Sequence, residues 1–239
     1  MSKNIWQSYR HNPRWAAVDE YALKQTHPPS RPNTRPLQHA LSLSSEAGLP
    51  DYSLPACHAK FLALHCRTAS VRHALEVGTL GGYTAIWLAS ENPQMTVTTI
   101  EQDFRNVVVA RQNIKLAGLS DSIEVVHGSG IDVLTKLRDE VRQGLRPRFG
   151  FTFIDADKVN NWNYLKLAKD MMEPKSVICI DNIVRDGFLA DLDTRDPYIL
   201  GCREVVEKAA QEPGLDSVVL QTVGEKGYDG WLWAVVDSP

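Results

Sequence analysis

The chain has 239 residues, 43% of them hydrophobic, which is enough to build a full core in one α/β domain. A formal net charge of −3 gives no electrostatic case for a nucleic-acid partner, and no apolar run reaches the length of a membrane span. Cys57, Cys66, Cys179 and Cys202 lie far apart and form no C-x-x-C pair, which fits reduced thiols better than a disulfide framework or a zinc site.

In chain order, residues 1–50 read as an N-terminal helical extension and 51–239 as the main domain. The first residues show no signal-peptide core and the last four no lipidation box, so the expectation is a soluble, cytoplasmic protein. Trp6, Tyr9, Trp15 and Tyr21 are scattered along a helical-looking stretch. Four prolines in residues 27–36 mark that segment as a loop. The early aromatics either pack on the core or a second subunit, or cover an aromatic substrate. Residues 55–69 read as a helix with Phe61, Leu62, Leu64 and His65 on or near one face. His58 and His65 share that face without a third ligand nearby, so a packing or surface role is expected of them rather than metal binding.

Ala74–Val77 is a short apolar run, the look of a buried strand. Gly78, Gly81 and Gly82 follow at once, and then an apolar-periodic helix begins. Such a turn brings backbone N–H groups close to a nucleotide-like ligand. Dinucleotide enzymes use G-x-G-x-x-G at this place. Here the pattern is Glu76-x-Gly78-x-x-x-Gly82. A carboxylate before the first glycine repels a pyrophosphate but suits a ligand with a cationic amino group, such as S-adenosylmethionine. An ordinary strand–turn–helix connection is the plainer reading.

Residues 96–101 form a β-branched second strand ending in Glu101, placed to accept hydrogen bonds from ribose hydroxyls. A helix over 105–117 follows, then a third strand at 123–127. The Gly128-Ser129-Gly130 turn after it could lie beside an adenine ring, and a helix runs on to about Arg142. Residues 149–155 are nearly all apolar, as in a central parallel strand, and run into Asp155-Ala-Asp157-Lys158. The spacing predicts a helix over 160–172 ended by Pro174. A fifth strand at 177–180 then leads into Asp181-Asn182. After an aspartate-rich loop at 186–197 come a helix over 198–211 and two strands, 217–223 and 231–236, joined through a turn at 224–230.

The alternation predicts an α/β fold: a doubly wound, mostly parallel Rossmann-like sheet with an antiparallel C-terminal edge pair. Glu76, Glu101, Asp155 and Asp181 then share the edge where such sheets bind ligands. Neighbouring parallel strands are about 4.8 Å apart, so Asp155 and Asp181 repel unless a cation or a shared proton intervenes. With the Asn182 amide oxygen they offer three hard ligands to a divalent, Mg²⁺-like ion. A hydrogen-bonded polar cluster is the alternative. Lys158, on the turn, reads as a general base for a substrate hydroxyl, or else as a solvated surface lysine or a salt-bridge partner of Asp157.

Leu75-Glu-Val-Gly-Thr-Leu-Gly-Gly-Tyr-Thr84, Phe153-Ile-Asp-Ala-Asp-Lys158 and Cys179-Ile-Asp-Asn182 resemble the cation-dependent O-methyltransferases, the catechol and caffeoyl-coenzyme A group within class I S-adenosylmethionine-dependent methyltransferases. The likeness runs from about Leu54 to Val236. It implies that Glu76, Gly78, Gly82, Tyr83 and Thr84 hold the methionine part of S-adenosylmethionine, Glu101 its ribose, and Ser129 its adenine. It implies Asp155, Asp181 and Asn182 as ligands of a divalent cation, Lys158 as base, and Asp155 beside the transferred methyl. The expected substrate is a small aromatic with adjacent hydroxyls, on which Trp231, Trp233 or the N-terminal aromatics could stack unless they pack in the core, and the expected assembly a homodimer. Departures stand at Ala59-Lys60, Pro174-Lys-Ser176, Asn161 and Arg185. The last two are expected to border the acceptor pocket. An NAD-dependent oxidoreductase and a non-catalytic binding protein of the same fold are the rival readings; the missing G-x-G-x-x-G opposes the first and the intact polar set the second.

Overall fold

A computed structural model describes residues 12–237; Trp6 and Tyr9 lie outside them. Three helices, α1 (Pro13–Thr26), α2 (Thr34–Glu46) and α3 (Ala56–Thr68), precede the sheet. Then β1 (His73–Val77), α4 (Tyr83–Glu91), β2 (Thr96–Glu101), α5 (Phe104–Leu116), β3 (Ile123–His127), α6 (Gly130–Arg142) and β4 (Phe149–Ile154) alternate. They are followed by α7 (Asn161–Lys169), β5 (Met172–Ile180), α8 (Pro197–Ala209), β6 (Leu215–Gly224) and β7 (Gly227–Val236).

The seven strands run in the order β3-β2-β1-β4-β5-β7-β6. The first five are parallel, and β7 is antiparallel to both β5 and β6. The chain starts in the middle at β1, winds outward to β3, and returns across β1 to β4. This reversal opens a crevice at the C-terminal strand ends between β1 and β4. Both strands are buried along most of their length because helices cover each face. Phe151 and Phe153 join one core with α2–α5, while Ile154 joins the other with α6–α8.

Several elements depart from the sequence expectation for local physical reasons. Pro36 sits inside the first turn of α2, where its missing N–H costs nothing, so the proline loop ends at Asn33. The helix before Pro174 stops at Lys169, and the strand already begins at Met172. Pairing skips from Phe149↔Met172 to Phe151↔Val177, so Pro174 and its neighbours bulge out of the ladder and need no N–H there. The last two strands are longer than expected, and the turn between them is only Glu225-Lys226. The buried face of α3 is Ala59, Leu62, Ala63 and Cys66, leaving Phe61 and Leu64 partly exposed.

The N-terminal helices are tied to the sheet domain by specific polar contacts. Asp19 of α1 accepts the Glu225 N–H at 2.9 Å and so holds the β6–β7 turn. Leu37, Ala40 and Ser44 of α2 are buried against α4 and α5. Glu91, at the end of α4, accepts from Arg31 at 2.9 Å, from Asn33 at 3.0 Å, and from Arg67. No helix among the described residues is long and apolar enough to cross a membrane.

Burial alone would raise the Glu91 pKa, but the hydrogen bonds from Arg31, Asn33 and Arg67 outweigh it and hold the carboxyl below its usual value. Its stabilisation is therefore present above the unfolded carboxylate pKa of about 4.3 and is lost as pH falls through the folded value. Glu91→Ala is expected to cost about 2 kcal/mol at pH 7 in urea denaturation. The gap to wild type should narrow below about pH 4; a gap that stays constant with pH would assign the loss to packing.

Candidate active site

The site is assembled at the C-terminal ends of β1, β2, β4 and β5. Its tightest point is Gly78, whose N–H donates to the Ile100 carbonyl at 3.0 Å. Gly78 has φ +102°, and a Cβ there would lie 2.1 Å from the Asp155 carbonyl oxygen. The loops after β1 and β4 thus touch backbone to backbone. Behind the turn, a Cβ on Gly81 would lie 2.1 Å from the Ser44 hydroxyl of α2. The Asn113 side chain donates to the Gly81 carbonyl at 2.8 Å and to Ser44 at 3.2 Å, closing the turn against α2 and α5.

Glu76 is 1% exposed and pairs across to Thr99, whose hydroxyl donates to its carboxylate at 2.6 Å. Burial pushes the Glu76 carboxyl up to about 8; the Thr99 hydrogen bond opposes this, and Asp155 and Glu101 add to it. Glu101 closes β2 and accepts the Leu80 and Asp103 N–H groups, each at 2.8 Å, with acceptor capacity left on both oxygens. Gly82 caps the start of α4 in a left-handed conformation, and Tyr83 and Thr84 are buried in its first turn. Ser129 caps α6 by accepting the Asp132 N–H at 3.3 Å; its neighbours Gly128 and Gly130 line the crevice, and Ser129 itself does not.

At the other end the β4–β5 register pairs Ile154 with Ile180, so Asp155 and Asp181 follow side by side. The Asp181 N–H donates to the Ile154 carbonyl at 2.9 Å, which locks this alignment. Burial, then the Asp155 charge, pushes Asp181 up to about 8. Lys158 is 4% exposed, and its Nζ donates to Asp155 Oδ1 at 2.8 Å. Burial would lower the lysine pKa, but Asp155 and Asp181 outweigh it and hold the ammonium above its usual value. Asp157 is used elsewhere, accepting from Asn160 at 2.5 Å and from the Tyr164 hydroxyl.

Among the described residues no three His, Cys, Asp or Glu side chains converge on a metal-sized point. The candidate set here is two carboxylates and the Asn182 amide, a hard-oxygen group. Asp181 is buried and the adjacent Asp155 half-buried; two neighbouring carboxylates facing one ammonium leave one negative charge unanswered, which a proton or a further cation must meet. The donor chemistry and this surplus charge both fit a divalent ion of the Mg²⁺ kind.

The loop after β5 is held in an unusual shape. Asn182, Arg185 and Asp186 all have φ between 54° and 56°, the left-handed region that non-glycine residues avoid. Asp229 compensates: its Oδ1 accepts the N–H groups of Val184 at 3.1 Å, Arg185 at 2.9 Å and Gly230 at 2.9 Å. Burial raises the Asp229 pKa, while the Arg185 N–H and charge act to lower it. Sequence reasoning missed this residue because Asp-Gly between two apolar runs reads as a turn. Its signal is that it stands in phase with the alternation of β7.

These groups surround one cavity of about 590 Å³. Gly78, Glu101 and Gly128 line one end, and Asp155, Lys158, Asp181 and Asn182 the middle. His58, Arg185, Asp229 and Lys226 border the far side, where Lys226 pairs with Asp51 at 2.7 Å. Glu76, Gly82, Tyr83, Thr84, Ser129 and Asn161 are not in this wall; Asn161 is fully buried at the start of α7. Trp231 and Trp233 are also outside it and pack on α3, Trp231 against His58 and Phe61, Trp233 against His65 and Phe61. His58 therefore serves both packing and the cavity wall, while Tyr21 of α1 is 70% exposed.

Gly78→Ala places a methyl group against the Asp155 backbone and in a disfavoured φ region. A loss of about 3 kcal/mol or more of folding stability is expected in urea denaturation; a loss under about 1 kcal/mol would mean the two loops can separate freely.

The sequence matches the O-methyltransferase family over residues 35–227. It is 47% identical over 234 residues to the O-methyltransferase imqG of Aspergillus flavus, covering 97% of this chain and 95% of that one. It is 39% identical over 202 residues to the catechol O-methyltransferase of Mycobacterium tuberculosis, covering 84% and 88% of the two chains. Among solved structures, the O-methyltransferase from Bacillus cereus in complex with SAH superimposes with a TM-score of 0.87 at 38% identity, covering 94% of this chain and 99% of that one. With the β3-β2-β1-β4-β5-β7-β6 sheet and these similarities together, the chain belongs to the O-methyltransferase family, of the catechol and caffeoyl-coenzyme A type, among the S-adenosylmethionine-dependent methyltransferases.

Proposed function

We propose that this O-methyltransferase moves the methyl of S-adenosylmethionine to one hydroxyl of a catechol-type aromatic, with a divalent cation held by Asp155, Asp181 and Asn182. The observation that carries the reading is the group formed by half-buried Asp155 with buried Lys158 and Asp181, in the same cavity as Gly78 and Glu101. Support for the acceptor comes from relatives named catechol O-methyltransferase at 39% and 36% identity. Support for the donor comes from similar structures described with SAH and with SAM.

S-adenosylmethionine supplies an electrophilic methyl on a sulfonium, and the cation supplies positive charge that makes a hydroxyl more acidic. Glu76 holds the amino group of the donor, and Glu101 takes its ribose hydroxyls through the acceptor capacity left on its oxygens. Gly78, Gly82, Tyr83 and Thr84 shape the turn around the methionine part, and Ser129 stands at the adenine end. Asp155 lies between the two halves of the site. Lys158 accepts the proton of the reacting hydroxyl at Nζ. It keeps its own proton while Asp155 and Asp181 are uncompensated; once their charge is answered, burial is left as the dominant influence and lowers its pKa. Much of the acceleration comes from holding two reactants in contact.

Methylation of a panel of catechols should require Mg²⁺ and stop with excess EDTA; full turnover in EDTA would remove the metal role. Lys158→Ala should lower kcat by about 10²- to 10⁴-fold with SAH affinity unchanged. Unaltered turnover would take the base assignment away from it.

The donor half has its own pH signature. Glu76 is raised to about 8 in the free protein, and a cationic amino group beside it favours the ionised form. Binding then releases a proton, so SAH should bind more tightly as pH rises from 6 to 8, by up to about tenfold per unit. Calorimetry in two buffers checks this, and Glu76→Gln should flatten the profile. A flat wild-type profile would separate Glu76 from the amino group.

A further inference from the structure

Two consecutive residues of α8 touch the two loops that carry the candidate base and the candidate amide ligand. Gly201 stands against the first. A Cβ on it would lie 2.3 Å from the Lys158 carbonyl oxygen, 2.8 Å from the Lys158 carbonyl carbon and 2.9 Å from the Val159 Cα. Cys202, fully buried, meets the second: its Sγ lies 3.3 Å from the Asn182 carbonyl oxygen, within reach of a thiol hydrogen bond. The helix that presents them is firmly seated. Asp196 caps its start by accepting the Tyr198 N–H at 2.8 Å, Pro197 opens its first turn, and Ile199, Val205 and Ala209 are buried.

The loops leave adjacent strands, β4 and β5, but each is shaped separately: a 3-10 turn over Lys158–Asn160 in one, left-handed residues in the other. Strand register sets Asp155 beside Asp181. It does not reach three residues further to Lys158, nor past the bend at Asn182. A rigid element behind both loops does.

We propose that α8 is a bracket that sets the spacing between Lys158 and Asn182, with Gly201 and Cys202 as positioning residues for the methyl-transfer site. The proposal rests on the roles given above to Lys158 and Asn182. At Gly201 the neighbour is backbone, so a methyl group there has no flexible side chain to displace and must push the lysine turn away. A displacement on the order of 1 Å at a reacting group is enough to cost about 10²-fold in rate.

The test compares wild type with Gly201→Ala, Cys202→Ala, Cys202→Ser and Val205→Ala on a catechol with Mg²⁺, well below every melting temperature. Val205 is a core residue of the same helix and controls for destabilisation. Gly201→Ala should lower kcat by about tenfold to 10²-fold and Cys202→Ala by about three- to tenfold. Cys202→Ser, whose hydroxyl can donate to the same carbonyl, should recover most of that loss. SAH affinity should stay within about twofold in all variants, and Val205→Ala should lower Tm without lowering kcat. Mn²⁺ affinity, read from the EPR signal of the free ion, should weaken in Cys202→Ala and return in Cys202→Ser. If Gly201→Ala does not fold, the Cys202 pair decides. Losses that merely follow Tm, as in Val205→Ala, or variants with wild-type kcat and Mn²⁺ affinity, overturn the bracket alone. A wild-type protein that methylates no diol and binds no Mn²⁺ overturns the site reading and the bracket with it.

Discussion

The structure depends on a repulsion that its own sheet enforces. Ile154 and Ile180 are paired in register, so the next residue on each strand is an aspartate, and their backbones are held side by side. Lys158 answers one of them. The other is buried, and its pKa is driven towards neutrality. An unpaired buried charge is expensive, so the site has a built-in demand for a further positive group. A lysine held charged by the same pair becomes a weaker acid or a stronger one according to whether that demand is met.

The surrounding elements keep this arrangement from relaxing. Gly78 lets the turn after β1 press on the backbone of Asp155, so the glycine turn and the polar middle of the cavity share one wall. Asp229 gathers three backbone N–H groups and holds the strained loop that begins at Asn182. The N-terminal helices take part as well. Ser44 of α2 fits where Gly81 has no side chain, and Asn113 ties both together, so the glycine turn is shaped from outside the parallel sheet. Glu91 secures the preceding loop through Arg31 and Asn33.

Much of the sheet was legible in the sequence because buried parallel strands are short, apolar and β-branched, and their ends are marked by glycine or a carboxylate. The run from Phe149 to Ile154 and the β-branched stretch at Thr96–Glu101 needed no knowledge of their neighbours. Elements whose form depends on a partner were not legible. Pro174 signalled a break, yet β5 accommodates it as a bulge. Asp229 looked like a turn residue until β6 paired opposite it. For Trp231 and Trp233 ligand stacking and core packing stood open, and their packing on α3 decided for the second.

Local patterning was therefore sufficient for the element order, the doubly wound class and the presence of carboxylates at strand ends. Period and punctuation are properties of a few residues and need no long-range contact. Folding had to supply the register that sets Asp155 against Asp181, the choice of Asp155 over Asp157 as the partner of Lys158, and the approach of α8 to both loops. Those depend on distances between residues remote along the chain, and such distances exist only once the layers have packed.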